Sequence, residues 1–168
     1  GIYGAHVFTA KVSQLLPQYL PGVEVRLRSK PSGWMSGDPE LWDEVAGSGS
    51  AFIYGPAGGT SGHVWGARWS ILLEEKGVPG VYVLSEGYEQ SVQMACEGAG
   101  MPQLRRVVTP MPSWGQESLN VQMDRIMRQI VEALTVPLSD NEERTEVIAR
   151  EQPPRSAMGG TLAGVQRY

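Results

Sequence analysis

Apolar side chains fall along this chain in two rhythms, one of about 3.6 residues and one of two, broken by glycine and proline. From Ala5 to Leu20, Val7 or Phe8, Val12, Leu15, Leu16 and Tyr19 share one helical face, and Pro17 predicts an end or a kink nearby. Val23 to Arg28 (VEVRLR) alternates apolar and charged residues as a half-buried strand does. Lys30 to Pro39 is a loop, and Asp38 before Pro39 has the form of an N-cap with proline in the first helical position. Leu41, Trp42 and Val45 give that short helix its apolar side. Ala51 to Tyr54 and Gly80 to Leu84 are continuous apolar runs bounded by glycine, the pattern of buried strands, and Arg105 to Thr109 predicts another. Between them lie two helices, one carrying Val64, Ala67, Ile71 and Leu72, the other running from Tyr88 to Gly100 with Val92 and Ala95 or Cys96 inward. Gln116 to Leu134 is the clearest helix, with Leu119, Met123, Ile126, Met127, Ile130 and Leu134 in one stripe.

Strands alternating with helices imply an α/β domain over residues 1–135. The expected form is a three-layer, doubly wound, mostly parallel sheet of four to five strands, flavodoxin- or Rossmann-like. Residues 136–168 change character, charged at first and then rich in proline and glycine, and form a tail that is either disordered or wrapped on a partner subunit.

In such sheets ligands bind beyond the carboxyl ends of the strands. Three loops leave there: Gly55 to Gly62, Ser85 with Glu86, and Pro110 to Trp114. The first is the richest in chemistry. Gly58, Gly59 and Gly62 permit close backbone approach, while Thr60 and Ser61 bring hydroxyls and an N-cap. The bare N–H groups opening the next helix attract a carboxylate, a phosphate or a developing negative charge. His63, in that first turn, either acts as a general acid or base or simply packs. Glu86, at the end of a buried strand, suits proton transfer or else complements the dipole of the following helix, in which case Ser85 is its N-cap. Trp114 is placed to wall the pocket.

Composition narrows the classes. At 168 residues and 41% apolar content the chain suits one well-cored domain, and no run has the length of a membrane helix. The opening residues lack the charged-then-apolar layout of a signal peptide, so a cytoplasmic protein is expected. A net charge of −4 argues against nucleic acid or an anionic membrane as partner. One cysteine, Cys96, and two histidines leave no metal site of the cysteine or histidine type, and no metal or organic cofactor is expected.

The run AFIYGPAGGTSGHVWGARWSILLEEKGVPGVYVLSEGYEQ, followed by RRVVTPMPSW, resembles the UGSC family of thiol or selenol proteins, themselves distantly like subunits of glycine and proline reductases. The likeness spans about residues 23 to 134. It implies an α/β fold with its pocket at the glycine turn, where family members usually carry Sec-Gly-Ser-Cys or Cys-Gly-Ser-Cys. Here Gly59, Thr60, Ser61 and Gly62 stand in that turn, so the sulfur chemistry does not transfer. Nor does the histidine often found between the later prolines, where this chain has Met111.

The function expected is an enzyme subunit acting on a small anionic metabolite held at Gly58 to Gly62. Its acid–base chemistry, of the lyase, hydratase or isomerase kind, falls to Glu86 or His63. Two alternatives stand beside it. One is a non-catalytic subunit of a hetero-oligomer with a sulfur-bearing UGSC-type chain; the other is a small-acid-binding module without turnover. A homo- or hetero-oligomer is expected in either case.

Overall fold

The computed structural model describes residues 5–48, 51–110, 116–140 and 142. The Val12 stripe forms α1 (Ala5–Tyr19), which buries Phe8, Val12 and Leu16. It runs through Pro17, because a proline in the last turn forfeits only the N–H bond it lacks and leaves too little helix beyond it to bend. The helix α2 (Pro39–Ser48) starts at the expected proline. The Asp38 carboxylate accepts from Ser32 Oγ at 2.6 Å and pairs with Lys30 Nζ at 3.0 Å. The Ser32 bond, with Lys30 behind it, holds its carboxyl below the usual range.

Three strands follow, β1 (Phe52–Tyr54), β2 (Gly80–Ser85) and β3 (Arg106–Thr109), all parallel and in the order β1-β2-β3. They are joined by α3 (Gly59–Glu75) and α4 (Glu89–Gly98), and α5 (Gln116–Thr135) comes last. Because side chains alternate along a strand, β2 feeds two cores. Val81 and Val83 face α1 and α5, packing with Phe8, Val12, Ile126 and Ile130. Tyr82 and Leu84 face α3 and α4, packing with Ala67, Ile71, Val92 and Cys96. Beside β1, Trp42 of α2 is buried with Phe52, Leu73 and Val78, and its ring stacks on Trp69 with centroids 5.7 Å apart.

The sheet therefore has three strands among the described residues, not the four to five expected, and its order shows no reversal. The missing strand is residues 23–28, which are not in a ladder. Val25 packs against the α1–α5 core, but Val23 and Leu27 are 38% and 55% exposed. Alternation reports which face of a segment meets the core; a ladder also needs a neighbour with free N–H and C=O groups. No helix among the described residues is long and apolar enough to cross a membrane.

Candidate functional site at the carboxyl edge of the sheet

All three strands end on one edge, and the loop from β1 to α3 crosses it. Gly55, just past β1, has φ +112°, and a Cβ there would lie 2.1 Å from the Val83 carbonyl oxygen, so no other residue lets the chain leave past β2. The Gly55–Pro56 peptide is cis. Gly58, extended at φ −112° and ψ 138°, is the N-cap of α3 and offers no side-chain cap. This corrects the expected capping role of Thr60 or Ser61. Because Gly59 enters the helix at φ +66°, the two hydroxyl residues fall inside the first turn, exposed, where their N–H groups are among those with no helical acceptor. Among the described residues nothing else accepts from the amides of Gly59, Thr60 or Ser61.

His63 lies one turn on and is fully buried. Its Nδ1 is 2.7 Å from the Gly59 carbonyl, and the Ser85 N–H donates to its Nε2 at 3.1 Å. A carbonyl can only accept and an N–H can only donate, so the ring is the neutral Nδ1–H tautomer. Its other face stacks on Tyr88, 4.0 Å between centroids and 10° from parallel. Burial pushes its pKa down, opposed by the Gly59 bond and by Glu89. The imidazole thus ties the first turn of α3 to the end of β2. Deeper in the same contact, the Tyr82 hydroxyl donates to the His63 carbonyl at 3.0 Å, and Gly66 lets the helix approach the Tyr82 ring.

Ser85 closes β2, fully buried, and its Oγ has no hydrogen-bond partner among the described residues. It stands in register with Thr109 of β3, also fully buried, whose hydroxyl among the described residues makes only a 3.4 Å contact to the Pro110 carbonyl. Glu86 comes next, half-buried; its N–H donates to the Thr109 carbonyl at 2.9 Å. Its carboxylate has no hydrogen bond or ion pair among the described residues. Gly87, at φ +88°, then turns the chain so that α4 begins only at Glu89, with Tyr88 as N-cap. Ser85 is therefore not the N-cap of α4, and the acidic residue in its first turn is Glu89, not Glu86.

The fold thus gathers Gly58, Gly59, Thr60, Ser61, Gly62, His63, Ser85 and Glu86 at one edge, while Trp114 lies outside the described residues. Two neighbours were not singled out from sequence: Thr109, paired with Ser85 only through sheet register, and Tyr88, read as the start of a helix. The one sequence signal for Tyr88 is an aromatic immediately after the Ser-Glu-Gly turn. Cys96 sits inside α4, buried, its thiol pushed up by desolvation and thereby made less reactive.

A cleft of about 300 Å³ opens at the opposite edge, where β2 and β3 begin, between Gly80, Leu104, Arg105 and Leu134. Its polar groups serve the fold: Glu74 accepts from the Gly80 N–H at 2.8 Å, and Arg105 donates to the Ala133 carbonyl at 2.5 Å.

No curated protein and no solved structure matches the chain significantly. The UGSC family model matches residues 2–136, which takes in every described element of the site, and the chain belongs to the UGSC family.

Proposed function

We propose that this chain is an enzyme subunit that binds a small anionic metabolite, through a carboxylate or phosphate, on the first amides of α3 and carries out proton-transfer chemistry on it. The observation that carries this is a juxtaposition. Uncapped N–H groups of Gly59, Thr60 and Ser61 open a helix that His63 ties to the residue next to Glu86, whose carboxylate is unpaired among the described residues. Such amides hold an anion in place and stabilise negative charge as it develops. Glu86 removes a proton from the carbon beside the bound carboxylate. That proton is then returned to carbon, as in an isomerase, or passed to a leaving group on the adjacent carbon, whose bond breaks as the C–H electron pair forms the double bond, as in a lyase or hydratase. Since both His63 nitrogens are held by backbone groups, the proton carrier favoured is Glu86, with His63 a positioning residue. Neither a metal nor an organic cofactor is needed for these steps.

For the fold we favour the flavodoxin- or Rossmann-like, doubly wound form; helices on both faces of a parallel sheet support it. A cytoplasmic setting suits a small-metabolite enzyme.

The test begins with inorganic phosphate and a panel of short 2-hydroxy and 2-oxo acids in thermal-shift titrations, followed by proton–deuterium exchange on whichever acid stabilises the protein. Glu86→Gln should still bind and should lose exchange by at least about a hundredfold. Full exchange in that variant refutes the chemistry; no stabilisation by any anion refutes the site.

A second reading has its own support: family membership combined with a glycine turn that holds no sulfur, the lone Cys96 being buried in α4. On that reading the chain is a non-catalytic partner of a sulfur-bearing UGSC-type chain, and the two co-purify. Stabilisation by an acid with no exchange would instead leave a binding module without turnover.

A further inference from the structure

Residues 23–28 carry a pattern that the site does not use. They alternate apolar and charged side chains, and the chain is not in a ladder. Among the described residues the backbone groups from Glu24 to Ser29 make one hydrogen bond, Arg28 Nη1 donating to the Leu27 carbonyl at 3.0 Å. The stretch is anchored at both ends, by the Val23 N–H on the Leu20 carbonyl at 3.2 Å and by Arg28 on Glu44 of α2 at 2.6 Å. Arg26 and Glu24, two residues apart, lie on one side and pair at 2.8 Å. An exposed run of free N–H and C=O groups is a template for another strand.

We propose that the strand it takes is the same segment of a second copy, antiparallel, about a two-fold axis at Val25. In that register Val25 meets the partner's Val25, Val23 meets the partner's Leu27, and Glu24 meets the partner's Arg26. One turn of the axis therefore covers the exposed Val23 and Leu27 twice and makes two cross-strand ion pairs. Neighbouring registers fail. Centring on Arg26 sets two guanidinium groups face to face, centring on Glu24 sets two carboxylates together, and a half-step places charged residues against apolar ones. The sequence is self-complementary about Val25 alone.

Light scattering on the full chain should give twice the 18.3 kDa chain mass at micromolar concentration and above. Glu24→Arg and Arg26→Glu should each raise the dimer dissociation constant on the order of tenfold or more, and the double exchange should restore it. Val25→Cys should cross-link copy to copy under mild oxidation, the native Cys96 being buried. A monomer at every concentration overturns the proposal. So does a dimer that ignores both single reversals, or slow amide exchange over 24–28 in a monomer, which would mean the segment pairs within its own chain.

Discussion

His63 makes the fold sensitive to acid in a way that can be measured without knowing any substrate. In the folded protein its Nε2 must accept from the Ser85 N–H, and its Nδ1–H is already given to Gly59. Protonation would turn the acceptor into a second donor aimed at a donor, inside a site with no exposure to water. The folded-state pKa is accordingly depressed below the ordinary 6.5, so between that lowered value and 6.5 the unfolded chain holds a proton that the folded chain does not. Stability from this group is therefore complete above pH 6.5 and is lost as pH falls through the window, at up to about 1.4 kcal/mol per pH unit. The carboxyls of Glu24, Asp38 and Asp124 are also held low by their partners, so their contributions vanish only at lower pH, below their ordinary 4.5, 3.8 and 3.8. Urea unfolding followed by circular dichroism from pH 8 to pH 5 isolates the His63 window. The wild-type protein should hold level and then fall, while His63→Gln, destabilised throughout by the lost packing and bonds, should fall much less across the same range. A level wild-type curve, or an equal slope in the variant, refutes the neutral, doubly bonded imidazole.

Three further substitutions probe the same edge. Alanine at Gly55 meets the Val83 carbonyl at 2.1 Å as well as an unfavourable φ, and should cost more than about 3 kcal/mol in urea unfolding. Alanine at Gly59 meets nothing within 4 Å and should cost only the φ strain, about 1 to 2 kcal/mol. Ser85→Ala removes a buried hydroxyl with no partner among the described residues, so it should leave stability unchanged or raise it by about 1 kcal/mol, read as a thermal midpoint.

Much of the architecture was legible because it rests on local rhythm. The α5 stripe from Met123 to Ile130, the apolar run of β2 and Phe52 of β1 are buried by the faces their spacing marks out. What escaped depends on distant atoms. Whether VEVRLR joins a ladder is decided by a neighbouring strand and not by its own alternation, and the three residues of β1 show how little of that edge is paired. The glycine turn was visible as composition, but the cap was placed two or three residues late, because Thr60 and Ser61 are good capping residues and Gly58 only wins through its extended backbone. The pairing of Ser85 with Thr109 comes from strand register alone, across 24 positions of sequence that no motif spans.

The position of His63 links these points into one argument about the site. A helix that begins with Gly58 and Gly59 loses side-chain capping and adds backbone freedom, both of which weaken its first turn. The imidazole offsets this from below, fixing the Gly59 carbonyl while leaving the outward N–H groups of Gly59, Thr60 and Ser61 untouched. Because the same ring is held by the Ser85 amide, the first turn of α3 cannot shift without moving the end of β2, and Glu86 follows directly from that end. Rigid placement of an uncapped helix start against a strand end is costly for stability, and it is the kind of cost that binding sites carry. Replacing His63 should on this argument weaken anion-induced stabilisation even though the ring itself donates nothing to the anion. Phosphate titration of His63→Gln against the wild-type protein would reveal that, and equal thermal shifts in the two would separate the latch from the site.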